Sequence, residues 1–357
     1  MTDTIEPPEL ADVRPGEELD WASLEAYVRA GIPELSGPMT VLQFPSGAAN
    51  LTYLLRFDGT ELVLRRPPFG VVAPGAHDMR REFRVLSRLW RAFDRAPRAY
   101  LFCDDHAVIG ADFVVMERRR GEVVRGVVPE SMAHHPDVGR RISFALVDAM
   151  ADMHLLDPAA NDLSDLGKPA GFAARQVAGW KTRWDLVRPD DGPPLMDEVP
   201  VRLAASVPEA TRVSIVHNDL KLDNCQFHPG DPDRVQSIFD WDMTTLGEPL
   251  VDLGTLLNYW PDPSDPPNAR RVSHEGLLTM GLPTRAEVTA RYAERTGIDV
   301  SSAGWYEAFA QWKTGVVIQQ LHNRWRRGES TDPRMATIAD RLPDLATTAS
   351  TLLDRLG

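Results

Sequence analysis

Two short segments constrain this chain most. The first, Ser214-Ile215-Val216-His217-Asn218-Asp219-Leu220-Lys221-Leu222-Asp223-Asn224, has the form H-x-D-x-x-x-x-N and continues an apolar, strand-like run. The second, Ile238-Phe239-Asp240-Trp241-Asp242, places a carboxylate just after the next strand-like run, about 21 residues beyond Asp219. A lone Asp in a turn is usually a cap for that turn. An Asp, an Asn five positions on and a further Asp after the next strand are instead the set that metal-assisted phosphoryl transfer needs. One carboxylate accepts or orients a hydroxyl, while the amide and the other carboxylate hold a metal against the phosphates. Mg2+ is a hard cation with oxygen ligands, and Asn plus Asp is a suitable donor set. Asp223 reads as a turn cap, and Asp242 as a second metal ligand or a helix cap.

The remaining composition excludes several classes. The chain has 357 residues, 43% of them apolar and 25% charged, which is ordinary for a folded protein of one large domain or two smaller ones. A formal charge of -13 does not suit a general binder of nucleic acid or of anionic membranes, though it permits a local basic pocket for a phosphorylated ligand. Two cysteines, Cys103 and Cys225, cannot staple a chain of this length, and their scarcity fits a reducing compartment. No Cys/His spacing suggests zinc, and no apolar run approaches the roughly 18 residues of a membrane helix. The acidic, Pro-rich start is unlike a signal peptide, so a cytoplasmic protein is expected.

Along the chain, residues 1–18 read as a loose tail, followed by a short amphipathic helix capped by Asp20. Strand-like runs follow at 39–44, 51–57 and 61–66, with Asp58-Gly59 a hairpin turn between the last two. A helical spacing of Met79, Phe83, Leu86, Leu89, Trp90 and Phe93 predicts a helix over 76–96, with Arg80, Arg81, Arg84, Arg88, Arg91 and Arg95 on a solvated face. Two more strands are expected at 100–102 and 113–116. Beyond Glu117 long helical patterns take over, including 142–156 and 172–186, interrupted by a β-rich island over 213–241 and a Pro-rich loop at 262–268. The reading is an α+β chain in two lobes: a tail (1–18), a small β-rich N-lobe (19–117) and a larger, mostly helical C-lobe (118–357), hinged near 116–121.

His217-Asn218-Asp219 with Asn224, together with Asp240-Trp241-Asp242, resembles the catalytic and metal motifs of the aminoglycoside phosphotransferase/choline kinase family, small-molecule kinases with the protein-kinase-like fold. The likeness runs from about residue 40 to 330. It is closest to the branch containing the kinase-like domain fused to some acyl-CoA dehydrogenases. The segments 63–68, 77–86, 113–117 and 153–155 carry it in the right order. The resemblance implies Asp219 as catalytic base, His217 as a brace of the catalytic loop, and Asn224 and Asp240 as metal ligands. It makes Ser46, Gly47, Ala48 and Asn50 the loop over the nucleotide phosphates, where small residues let backbone N–H groups approach. It asks for a cation on the third strand paired with a helix Glu. Arg65 and Glu82 are the candidates, with Arg in place of the usual Lys and with Arg66 pointing to the opposite face. Met116 and Glu117 border the adenine.

The implied reaction is transfer of the γ-phosphate of ATP, with GTP an alternative donor, to a hydroxyl of a small molecule in the presence of Mg2+. Aminoglycosides, choline-like alcohols and hydroxyacyl thioesters are the acceptor classes. No nucleic-acid or membrane partner is expected, and oligomeric state is not legible. Trp180, Arg183, Trp184, Trp312, Gln319, His322, Asn323 and Arg326 are acceptor-side candidates by residue type alone. His154 and Cys225 read as buried core residues, and the Asp252-Leu253 pair as structural. A nucleotide-binding scaffold with little catalysis is the alternative that Arg65 invites. A metal-dependent phosphoesterase would need further His ligands near the motif. A protein kinase would need more chain between Asp240 and Glu248.

Overall fold

The computed structural model describes residues 9–45, 50–70, 78–265, 275–330 and 332–356. The chain divides into two compact units. The first comprises residues 1–120 with two returning segments, 159–166 and 236–244, and the second takes the rest.

The first unit is built on a five-stranded antiparallel sheet. Helix α1 (Trp21–Gly31) starts at Asp20, whose carboxylate accepts the Ser23 backbone N–H as an N-cap. Strands β1 (Thr40–Gln43), β2 (Leu51–Phe57) and β3 (Thr60–Arg66) follow, the last two joined by the Asp58-Gly59 turn, where Gly59 takes φ +70°. Helix α2 (Met79–Leu89) opens on Asp78, which caps the Arg81 N–H. Strand β4 (Ala99–Cys103), the one-turn helix α3 (His106–Ile109) and β5 (Phe113–Glu117) complete the unit, and the strand order is β1-β2-β3-β5-β4. Alternation sorts the side chains. Leu51, Tyr53, Leu55 and Phe57 of β2 and Leu62 and Leu64 of β3 share a core with Leu24 and Val28 of α1. The intervening Leu54 and Val63 are also buried, and α2 packs on β4 and β5. The expected helix over 76–96 is thus shorter where it is described. Residues 90–96 continue in turns, and Pro97 disfavours the helical region for Ala96 at their end. Phe93 and Ala96 stay buried, so the apolar spacing there reports burial rather than helix.

The second unit is mostly helical. It holds α4 (Val138–Leu155), α5 (Phe172–Val187), α6 (Leu195–Ala205), α7 (Leu250–Tyr259), α8 (Arg285–Thr296), α9 (Ala303–Arg326) and α10 (Leu342–Asp354). The 24-residue α9 packs against α5, α6, α7 and α10. Gly254 permits its approach to α7, since a Cβ there would lie 2.4 Å from the Tyr306 backbone. The β-rich island forms two small sheets. Strand β6 (Glu122–Val123) pairs with β8 (Cys225–His228), which neighbours β9 (Asp231–Ile238). Strand β7 (Ser214–Val216) pairs with β10 (Thr245–Gly247). Strands β6, β8 and β10 and helix α3 are too short to carry a periodic signal and were not legible in the sequence. No helix among the described residues is long and apolar enough to cross a membrane.

Candidate active site

In the second unit, β7 delivers the chain into the H-x-D loop. His217 is fully buried, and its Nδ1 accepts the Asp219 backbone N–H at 3.3 Å, which fits a brace rather than a reacting group. Asn218 sits in the left-handed region at φ +67°, a conformation that Asn tolerates better than most residues. Asp252, near the start of α7, holds this turn from beneath. Its Oδ2 accepts the His217 N–H at 2.7 Å and its Oδ1 accepts the Asn218 N–H at 2.6 Å. His154 of α4 sits 3.1 Å from the same carboxylate through Nε2, and its Nδ1 lies 2.7 Å from the Tyr292 hydroxyl. Burial alone would raise the Asp252 pKa. The His154 ring and the His217 region outweigh it and hold the carboxyl below its ordinary range. His154 is therefore a satisfied core residue, as its sequence position suggests. Cys225 is buried too, and desolvation pushes its thiol up, away from reactivity.

At the top of the loop, Asp219 Oδ2 accepts Lys221 Nζ at 2.5 Å and Asn224 Nδ2 at 3.1 Å, and Asn224 Nδ2 also reaches the Asp219 carbonyl at 2.8 Å. Three side chains of the H-x-D-x-x-x-x-N segment thus meet at one carboxylate. The other oxygen, Oδ1, accepts no hydrogen bond from the described residues. Lys221 also lies 5.2 Å from the Tyr259 ring. From α9, Lys313 Nζ donates to the Asn218 carbonyl at 3.0 Å.

In the first unit, Arg65 forks between two acids. It donates through Nη1 to Glu82 of α2 and through Nη2 to Asp240 at 2.7 Å. Parity explains why Arg65 and not Arg66 does so. Arg66 shares its face with Leu62 and Leu64, donates to the Ile109 carbonyl at 3.2 Å and stacks on Phe69. Glu82 is fully buried rather than a surface charge, and burial raises its pKa against the opposing pull of Arg65. Burial would lower the Arg65 pKa, but Glu82 and Asp240 carry it upward. Asp240, like Asn218, is a non-glycine residue in the left-handed region, at φ +69°. Such strain costs about 1–3 kcal/mol and collects at functional positions. Arg81 Nη1 donates to the Asp242 carbonyl at 3.3 Å.

The remaining predicted residues fall as follows. Met116 is buried in β5 opposite Val63. Glu117, at the end of β5, accepts the Arg98 N–H at 3.0 Å and pairs with Arg119 at 3.1 Å. Asn50, just before β2, is 4% exposed, and neither amide atom has a hydrogen-bond partner among the described residues. Ser46, Gly47 and Ala48 lie outside the described residues. Trp184 and Trp312 are core, and Asn323 donates to the Val187 carbonyl. Sequence reasoning missed Lys221 and Lys313. The available signals were a Lys two positions after Asp219 and a lone Lys inside an otherwise apolar helical run. Among the described residues no group of three or more His, Cys, Asp or Glu is placed to hold a metal ion.

An antiparallel sheet with an Arg–Glu pair, followed by a mostly helical unit carrying a braced H-x-D loop, is the protein-kinase-like fold of the aminoglycoside phosphotransferases. The chain superimposes on the crystal structure of a putative aminoglycoside phosphotransferase from Ralstonia eutropha JMP134 with a TM-score of 0.78 and 28% identity, covering 95% of this chain and 99% of that one. A macrolide 2'-phosphotransferase of type I shares the fold at a TM-score of 0.58 and 18% identity, covering 90% and 97%. The sequence profile of the APH phosphotransferase enzyme family matches residues 40–290, and the chain belongs to that family. Among curated proteins it is 31% identical over 356 residues to acyl-CoA dehydrogenase family member 11 of Rattus norvegicus, covering 96% of this chain and 44% of that protein. It is 29% identical to family member 10 of Mus musculus, covering 91% and 30%. The chain thus spans less than half the length of these two relatives.

Proposed function

We propose that this chain transfers the γ-phosphate of ATP to a hydroxyl of a small molecule. The observation that carries the reading is the Asp219 carboxylate. Lys221 and Asn224 fix one of its oxygens, the other is left for a hydroxyl proton, and the loop beneath is anchored by Asp252. A base held in this way accepts the proton as the hydroxyl attacks the phosphorus, and orientation supplies much of the rate. Lys221 offsets the charge beside it. Asn224 spends its amide nitrogen on Asp219, which leaves its oxygen, the atom a hard cation takes. Asp240, in the first unit, offers carboxylate oxygens of the kind Mg2+ also takes. The ion, when bound, would neutralise phosphate charge. On the same reading Arg65, oriented by Glu82, holds the nucleotide phosphates, with Asn50 and the 46–48 segment beside them and Met116 and Glu117 near the base. A thermostable mutant of aminoglycoside phosphotransferase APH(4)-Ia, which shares the fold, has been solved in a ternary complex with AMP-PNP and hygromycin B, which supports a nucleotide and a small acceptor as the two ligands.

The test is turnover of Mg-ATP with a panel of small hydroxyl compounds, run beside the Asp219→Ala variant. The variant should lose about 10²–10⁴-fold in kcat while its affinity for Mg-ATP stays within about twofold. Unchanged turnover in Asp219→Ala would sink the assignment of Asp219.

A further inference from the structure

Lys313 is out of place in α9. Its neighbours Gln311, Trp312, Thr314 and Val316 are all buried. Its ammonium carries three donors, yet among the described residues it makes a single hydrogen bond, to the Asn218 carbonyl, and no carboxylate lies within ion-pairing distance. Burial pulls its pKa below the ordinary amine range. Asp219 and Asp252 act to raise it, and Lys221 and Arg183 press it further down. Arg183 of α5 is in the same position, exposed and without a carboxylate partner among the described residues. Both cations lie over one aromatic ring. The Arg183 guanidinium is 4.6 Å from the Trp180 ring centroid, and Lys313 Nζ is 5.4 Å from it. Lys221 stands on Tyr259. Beside Asp219, therefore, three cations gather in a chain whose net charge is -13, and two of them have no carboxylate counter-ion. An amino sugar would bring a further positive charge into this group. An anion would supply the partner that Lys313 and Arg183 lack, and would offset the desolvation of Lys313.

We propose that the acceptor carries an anionic group, a carboxylate or a phosphate, close to the hydroxyl it offers, and that Lys313 and Arg183, set against Trp180, hold that group. The proposal rests on the phosphotransferase reading for its placement at Asp219, but its test does not require turnover. Calorimetry on the full chain with Mg-AMP-PNP compares twins that share the hydroxyl and differ at the terminal group: 3-hydroxybutyrate, butane-1,3-diol and 4-aminobutan-2-ol, and glycerol 3-phosphate against glycerol. At least one anionic twin should bind about tenfold to a hundredfold tighter than its neutral partner, the range of one charge-assisted hydrogen bond. The amine should bind weakest. Which anion wins distinguishes carboxylate from phosphate. Lys313→Met should abolish that margin, and Lys313→Arg should keep most of it. Affinity for the neutral twin controls for the support that Lys313 gives Asn218. If Lys313→Met weakens neutral and anionic twins alike, Lys313 only props the loop and the proposal is overturned. It is equally overturned if no anion binds, or if the neutral or amine twin binds better. Loss of ATP turnover with every acceptor, alongside intact anion preference, would instead strike the phosphotransferase reading alone.

Discussion

In the second unit, Asp252 is completely buried, and its two oxygens are filled by the backbone N–H groups of His217 and Asn218 and by the His154 ring. In the first unit, Glu82 is as deeply buried but has one backbone donor, the Trp241 N–H, and one side-chain partner, Arg65, which it shares with Asp240, itself 30% exposed. Burial acts to raise both pKa values, and the outcomes are opposite. At Asp252 the His154 ring, followed by the His217 ring and backbone N–H, outweighs burial and holds the pKa below 3.8, whereas at Glu82 burial prevails over Arg65 and the Trp241 N–H and lifts the pKa above 4.5. Backbone donors cannot turn away, so Asp252 is a permanent brace. An arginine shared by a buried acid and a partly exposed one can exchange the outer partner for a ligand without stranding the inner one.

The brace should break hardest. Asp252→Asn keeps the shape but turns an amide NH2 toward a backbone N–H, and it should cost about 4 kcal/mol in chemical denaturation, with transfer activity lost. The pH dependence follows from the sign of the shift. Because the folded pKa is depressed, the carboxylate's contribution is complete above pH 3.8 and is lost as pH falls below it. The gap between wild type and variant should therefore be flat from pH 7 to about pH 4 and narrow only at lower pH. A gap that closes between pH 7 and 5 would show that the Asp252 carboxylate does not set the energetics.

Arg65→Met should cost less, about 2 kcal/mol at pH 7, because Glu82 can escape by taking up a proton. In that variant the native state retains a proton that the unfolded chain releases above pH 4.5, so its stability falls as pH rises and its deficit shrinks toward pH 5. On the proposed function the KM for Mg-ATP rises about tenfold, the value of one lost charge-assisted contact. Equal deficits at pH 5 and pH 8 would erase the contrast between the two carboxylates.

How far these networks were legible follows from their geometry. The H-x-D-x-x-x-x-N segment is local: Asp219, Lys221 and Asn224 meet because a short loop and a 3₁₀ turn fold back on themselves, so spacing announced Asp219 and Asn224, though not Lys221 between them. The strands of the first sheet were legible for the same reason, since alternation is a property of neighbours in sequence. The choice of Arg65 over Arg66 needed the sheet's two faces to be told apart, which no single strand reveals. Asp252, His154 and Tyr292 come from three helices far apart in the chain, and nothing in their own neighbourhoods marks them as one network. Lys313 was hidden likewise, because its partner, Asn218, is 95 residues away.

The basic face of α2 gives the smallest effect. Arg84 and Arg88 reach Asp165 at 2.9 and 2.8 Å, and Arg88 also donates to the Asp162 carbonyl at 2.6 Å, tying the returning 159–166 segment to the first unit. The sequence reading made this face merely solvated, and the exposures agree in part: the Arg84 and Asp165 side chains are 47% and 57% exposed. Ion pairs so open to water contribute little, and Asp165→Ala should cost less than about 0.5 kcal/mol, vanishing in 0.5 M salt. Leu163 and Leu166 of the same segment are buried, and their burial rather than the charges should keep it in place. If thermal melts of Asp165→Ala showed a loss above about 1 kcal/mol that salt did not remove, the surface network would belong with the buried pairs, and the distinction between fixed and exchangeable partners would have to be redrawn around geometry rather than exposure.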